Sequence, residues 1–126
     1  MANMSEAERL NLGLVRLHRV FFLFYVVVAT VLMAYGLNAL MHGKGDGVAL
    51  AFVEFVFLAV IVAHWYAAKG AGLGKPYGRT ISRVIGCCWV LGFPVGTALA
   101  VFVFSRTRKR SWKEGIASAA AENVNA

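Results

Sequence analysis

The sequence predicts an all-α integral membrane protein with two transmembrane helices and a third hydrophobic element that proline and glycine interrupt. Of its 126 residues, 60% are hydrophobic and 15% are charged, whereas a soluble domain has about 45–50% apolar and about 25% charged residues. The apolar residues form blocks at 20–41, 48–68 and 84–104, and about 20 such residues cross a bilayer. No segment has the alternation of a half-buried strand.

The first two blocks predict a helical pair. Residues 1–19 contain Ser5 and Glu8 in a capping-box pattern, followed by leucines at helical spacing, which predicts an amphipathic helix at the membrane interface. The elements that follow are transmembrane helix 1 at 20–41, a short outer turn at 42–47, and transmembrane helix 2 at 48–68.

The last part of the chain predicts a basic, glycine-rich cytoplasmic loop at 69–79, a broken hydrophobic element at 80–106 and a basic, then disordered tail at 107–126. Proline lacks a backbone N–H and glycine weakens a helix, so the element is expected to turn at 92–96. The residues of this turn and its packing are Gly92, Phe93, Pro94, Gly96 and Thr97.

Charge placement favours a re-entrant hairpin over a kinked third span, which stays the alternative. If the third block spans, seven basic residues lie on one side of the membrane and six on the other. If it enters and returns, twelve of the thirteen lie on one side and Lys44 alone on the other. The second distribution follows the positive-inside rule and places both termini in the cytoplasm.

The net charge of +7 indicates contact with anionic lipid head groups rather than with nucleic acid, because the basic residues flank the apolar blocks. The residues predicted to contact head groups are Lys69, Lys75, Arg79, Arg83, Arg106, Arg108, Lys109 and Arg110.

Glu54 is the most unusual residue, because it is a carboxyl group inside an apolar segment. Such a group is costly to bury and suggests a proton carrier, a cation site or a helix contact. In an antiparallel helix pair, its depth matches that of Asn38 and Tyr35, so a hydrogen bond to either would satisfy it without transport. A contact between subunits is the next interpretation, and proton or ion movement is the third.

His18 and His64 fall at matching depths on the two predicted spans. Two such histidines can ligate a haem between helices. Histidines at a membrane interface are more often solvated or hydrogen-bonded, so this simpler interpretation is favoured and no cofactor is expected. The sequence contains no nucleophile–base pattern and no metal-ligand spacing, so neither catalytic activity nor a metal site is expected.

Residues 72–104 carry a Gly-Leu loop, an aromatic-x-Arg entrance and a Phe-Pro-x-Gly-Thr turn, formed by Gly72, Leu73, Tyr77, Arg79, Phe93, Pro94, Gly96 and Thr97. This region resembles the C-terminal part of a group of small, uncharacterised bacterial multi-helix membrane proteins. The resemblance covers about a quarter of the chain. It implies a multi-pass protein of the bacterial inner membrane and carries no chemistry to transfer.

The expected function is that of a non-catalytic accessory or assembly subunit, packed against a larger membrane complex or against copies of itself. Small residues would provide the surfaces for close approach, namely Gly36, Gly86, Gly92, Gly96 and Ala100. A proton- or ion-conducting oligomer built around Glu54 is the alternative, and a haem-bearing electron-transfer subunit is the least favoured hypothesis.

Overall fold

The computed structural model describes residues 11–92, 94–109 and 111–113, and its secondary structure is entirely helical, with no strand in these ranges. The four helices are α1 (Leu12–Met41), α2 (Gly47–Gly72), α3 (Pro76–Val90) and α4 (Val95–Arg106). The predicted all-α class is confirmed for the described residues.

Helices α1 and α2 are long and apolar enough to cross a membrane. They have 30 and 26 residues, which corresponds to about 45 and 39 Å at 1.5 Å per residue. Gly36 of α1 faces Leu50 of α2, and His18 of α1 contacts His64 of α2, so the two helices run antiparallel. A short loop joins them, and the Asp46 side chain caps α2 by accepting hydrogen bonds from the first backbone N–H groups.

Helices α3 and α4 are two separate, shorter helices of 15 and 12 residues. They also pack antiparallel: Gly86 faces Val103, and near the turn the backbone of Gly96 lies against the carbonyl of Trp89. The break between them falls at residues 91–94, and Pro94 immediately precedes α4. The interruption predicted at 92–96 is therefore a change of helix, within which Phe93 lies outside the described residues.

The buried residues gather at one end of the molecule. Here α1 begins and α2 ends, α3 packs against both, and α4 packs against α3 and reaches the start of α1 through Phe102. We call this region the four-helix end; the opposite end, at the loop between α1 and α2, is the two-helix end. A hydrophobic cluster fills the four-helix end and consists of Leu14, Val15, Ala71, Val103 and Trp112. In contrast, almost none of the apolar stretches of α1 and α2 is buried within the chain.

Asn11 ties the chain together at this end. Its side-chain Nδ2 donates to the carbonyl oxygens of Ala71 (3.0 Å) and Lys113 (2.9 Å), and its Oδ1 accepts from the Lys113 backbone N–H (3.0 Å). One side chain therefore joins the start of α1, the end of α2 and the segment after α4.

Two predicted boundaries differ from the observed ones. The lead-in helix at 1–19 and the span at 20–41 are not separated at residue 20, because one helix runs unbroken from Leu12 and no proline interrupts it. Residues 1–10 of that lead-in lie outside the described residues. The loop predicted at 69–79 contains only residues 73–75, since α2 extends to Gly72 and Pro76 begins α3, where the missing N–H of proline costs no hydrogen bond.

Gly70 and Gly78 explain how α3 turns back so tightly. An added β-carbon on Gly70 would lie 2.5 Å from the Cα atom of Gly78 and 2.7 Å from its backbone nitrogen. Only glycine permits two backbones to approach this closely. The glycine-rich stretch is thus a helix–helix contact, and it directs α3 along the four-helix end.

Candidate functional site

A buried polar cluster occupies the junction of α1, α2 and α3. The Nδ1 atoms of His18 and His64 are 3.0 Å apart, and the Nε2 atom of His18 is 2.9 Å from the Oγ atom of Ser82. All three side chains are buried, with 0%, 1% and 0% exposure, respectively. The two histidines that the sequence placed at equal depth are therefore in direct contact.

The hydrogen bonds constrain the protonation of the two rings. A hydrogen bond between two neutral imidazoles needs one donor and one acceptor, so one ring carries its proton on Nδ1 and the other on Nε2. If His18 donates to His64, its Nε2 accepts from Ser82; if His64 donates, the His18 Nε2 donates to Ser82. Either pattern satisfies His18 fully.

Aromatic rings surround the pair. The His64 ring stacks on Phe21 with the centroids 5.8 Å apart and the planes at 17°, and it lies 5.4 Å from Tyr25 and 5.7 Å from Trp89. Helices α1 and α3 contribute these rings, and the polar side chains beside them are buried. Low local polarity strengthens a satisfied hydrogen bond and makes an unsatisfied one expensive.

This arrangement does not fit haem between His18 and His64. Ligation by two histidines places an iron and its macrocycle between the two ring nitrogens, whereas these nitrogens are hydrogen-bonded to each other at 3.0 Å. Instead, the pair forms a buried hydrogen bond that joins α1 to α2.

Glu54 lies in the two-helix half of the molecule, away from this cluster. Its Oε1 atom is buried and has no hydrogen-bond partner among the described residues. The side chain lines an open cavity of about 430 Å³, whose other lining residues belong to α1 and are Ala29, Thr30, Met33, Ala34 and Leu37. The Thr30 hydroxyl donates to the backbone oxygen of Val26 instead (2.8 Å).

The hydrogen bond predicted between Glu54 and Asn38 or Tyr35 is not formed. Tyr35 is 74% exposed, and Asn38 is exposed as well. Ala34 and Leu37 line the cavity, and each predicted partner is one residue further along α1, about 100° around the helix axis. The prediction thus placed Glu54 at the right depth but against the wrong face.

The basic residues fall into two groups. Arg79 donates from Nε to the backbone oxygen of Thr107 (2.6 Å), and Arg83 donates from Nε to the Thr107 hydroxyl (3.3 Å), so these two arginines connect α3 to the end of α4. Arg106 lies over the ring of Phe102 at 5.5 Å. Arg83 and Arg106 are exposed all the same, as are the remaining predicted head-group residues, namely Lys69, Lys75, Arg108 and Lys109; Arg110 lies outside the described residues.

Four of the five small residues predicted to allow close approach lie in contacts within the chain. Gly36 lies under Leu50, Gly86 faces Val103, and Gly96 contacts the Trp89 carbonyl, while Ala100 is buried. Gly92 is exposed in the turn. The Thr97 hydroxyl donates across the turn to the backbone oxygen of Val90 (3.3 Å).

Sequence reasoning missed Ser82 and Thr107, which are both fully buried. A signal for Ser82 is present: Gly78, Ser82 and Gly86 follow one another at i, i+4 and i+8, which places small residues on one face of a helix. For Thr107 we find no comparable signal, since its role depends on arginines of another helix.

Comparison of the chain with protein families, curated proteins and solved structures finds no match. The resemblance of residues 72–104 to small bacterial membrane proteins therefore stays a prediction.

Proposed function

We propose that this chain is a small, non-catalytic subunit of a bacterial inner-membrane assembly and that it pairs with a second copy of itself through the cavity at Glu54. The observation that supports this proposal is the buried Oε1 atom without a partner. An unsatisfied polar group in hydrocarbon costs several kcal/mol. A partner outside the chain relieves that cost once the carboxyl group turns toward the open cavity that its side chain lines.

A second copy suits this position for a chemical reason. A protonated carboxyl group is both a donor and an acceptor, so two Glu54 side chains related by a two-fold axis satisfy each other. A two-fold interface uses the same patch on both subunits. Ala29 and Ala34 line the cavity beside Glu54, and small residues of this kind let helices of two subunits approach.

The proposed topology has two spans, a re-entrant α3–α4 hairpin and both termini in the cytoplasm. The two arms have lengths of about 22 and 18 Å at 1.5 Å per residue, which are short for a hydrocarbon core of about 30 Å. The base of the hairpin carries Arg79, Arg83 and Arg106, whereas its tip presents Leu91, which is 90% exposed. A charged base and an apolar tip favour a base in water and a tip in lipid.

Cysteine cross-linking tests the pairing. In a background with Cys87→Ser and Cys88→Ser, we expect Ala34→Cys to form disulfide-linked dimers in native membranes under mild oxidation. Tyr35→Cys is the matched control: it lies at the same depth, does not line the cavity, and should remain monomeric. Equal cross-linking at the two positions would contradict the proposed interface.

Substitution of Glu54 then tests the chemistry. Glu54→Gln should preserve the Ala34→Cys dimer, since an amide also donates and accepts, whereas Glu54→Leu should abolish it. A Glu54→Leu variant that cross-links as well as the parent would exclude the carboxyl pair.

Proton or ion conduction is the alternative function. It is supported by the open cavity beside Glu54, whose Oε1 atom has no hydrogen-bond partner among the described residues. Reconstituted vesicles should then show a flux that Glu54→Gln abolishes although the dimer persists. A flux unchanged in this variant removes the alternative.

The topology has its own test. A reporter fused after Ala126 should be active on the cytoplasmic side, and periplasmic activity would instead require α3 and α4 together to cross the membrane.

A further inference from the structure

A second cavity lies at the four-helix end, on the surface between the start of α1 and the end of α2. It is a groove of about 500 Å³. Its floor contains Val15 and Ala68, which are buried, together with Gly72. Ala68 and Gly72 are one helical turn apart on α2, and their small size leaves the space that a larger side chain would fill.

Aromatic and aliphatic side chains form the walls of this groove. Phe22 of α1 and Trp65 of α2 contact each other with their ring centroids 5.6 Å apart, and Leu23 and Leu73 also line the space. The volume lies within the range of about 300–1,000 Å³ that is typical of small-molecule sites. The groove therefore suits an apolar chain.

Two positively charged side chains line this apolar groove. Arg19 and Lys69 are the charged residues among its lining, and both are exposed. Among the described residues, no acidic side chain lines the groove. Within the described ranges, the acidic residues are Asp46 and Glu54, and Glu54 is fifteen positions before Lys69 on α2, about 22 Å along the helix.

We propose that this groove binds one anionic phospholipid, with an acyl chain between α1 and α2 and the phosphate between Arg19 and Lys69. The inference rests on the membrane orientation of the proposed function, which places these two cations at the head-group level of the cytoplasmic leaflet. Trp65 is half-exposed, and tryptophan is enriched at this level of a membrane. Charge complementarity selects an anionic lipid over a zwitterionic one, since each cation near the surface contributes about fivefold to the binding of anionic lipid.

The proposed groove changes which basic residues are expected to contact lipid head groups. Arg19 was absent from the residues expected to contact head groups, and the groove adds it. Arg79 and Arg83 were included there, but their Nε atoms are engaged with Thr107 inside the chain.

Quenching of Trp65 fluorescence by brominated lipid tests the proposal with the full-length chain in vesicles. The Trp65 signal is obtained as the difference between the unmodified chain and Trp65→Phe, which leaves Trp89 and Trp112 in place. Titration of brominated phosphatidylglycerol into phosphatidylcholine vesicles should reveal a saturable site, with an affinity about 30-fold above that for brominated phosphatidylcholine when both cations act.

The charge variants identify the site. Arg19→Gln combined with Lys69→Gln should abolish the preference for phosphatidylglycerol over phosphatidylcholine. Arg16→Gln should retain this preference, because Arg16 is exposed on the same helix and lies outside the groove. Equal quenching by both lipids, or a preference that survives the double substitution, overturns the proposal. Displacement of the brominated lipid by soluble glycerol phosphate overturns it as well, because the site would then bind the free anion.

Native mass spectrometry gives an independent readout that does not depend on the folding of any variant. One phosphatidylglycerol should stay bound per unmodified chain after detergent removal, and its absence contradicts the proposal. Glu54→Leu separates this inference from the proposed pairing: lipid preference should be unchanged in this variant although the dimer is lost. Vesicle flotation separates both from a failure of the chain to enter the membrane.

Discussion

Replacement of Ser82 by alanine should destabilise the protein by removing one hydrogen bond from the buried histidine pair. In the structure, the Ser82 Oγ atom is 2.9 Å from His18 Nε2, and both side chains have 0% exposure. After the substitution, the Nε2 atom of His18 has no partner, whether it served as donor or acceptor.

The magnitude follows from two opposing contributions. A buried polar atom left unsatisfied costs about 1–3 kcal/mol, and the higher helix propensity of alanine returns about 0.5 kcal/mol. The free energy of unfolding should therefore fall by about 0.5–2.5 kcal/mol. Neither contribution depends on the identity of any external partner, so the prediction concerns the chain alone.

Reversible unfolding in mixed micelles, with increasing SDS and detection by far-UV circular dichroism, measures this change. Ser105→Ala is the matched control, since Ser105 is exposed and its hydroxyl donates only to the nearby Phe102 carbonyl; it should alter stability by less than about 0.5 kcal/mol. Equal effects of the two substitutions would refute the view that the histidine cluster locks α1, α2 and α3 together.

Two further substitutions probe the contacts around this cluster. Gly78→Ala should lower the free energy of unfolding by about 1–3 kcal/mol, because the added methyl group collides with the backbone of α2. Gly13→Ala is the control: its added methyl group would lie 3.7 Å from the nearest atom, so stability in the same assay should be unchanged or slightly higher. A Gly78→Ala variant of unchanged stability would show that α2 and α3 are not in close contact. Arg79→Gln removes the donor to the Thr107 carbonyl and should cost about 1 kcal/mol, visible as faster amide exchange in the last turn of α4. Arg16→Gln is the charge-matched control, and identical exchange in both variants would contradict a role for Arg79 at the hairpin base.

Much of the fold was predictable because it follows from local sequence. The two long apolar blocks fix α1 and α2, and Asp46 marks the start of α2 since its carboxylate caps the first N–H groups. Pro94 disrupts the last apolar block for a purely local reason, which explains why the break fell close to its predicted place. Helix type and approximate position depend on residues near one another in the chain.

The candidate site was predictable only in part, because tertiary orientation decides it. The matching depth of His18 and His64 was predicted, but their direct contact was not. The third member, Ser82, depends on how α3 folds back along the Gly70–Gly78 contact. Glu54 was placed at the correct level and on the wrong side, since depth along an antiparallel pair does not specify rotation about the helix axes.

The oligomeric state of the chain in native membrane tests the central proposal most directly. Extraction into lipid-bilayer discs without detergent, followed by mass measurement, should yield a homodimer for the unmodified chain and for Glu54→Gln, and a monomer for Glu54→Leu. A monomer in all three, or a different protein bound at the position of the second copy, would contradict pairing through Glu54.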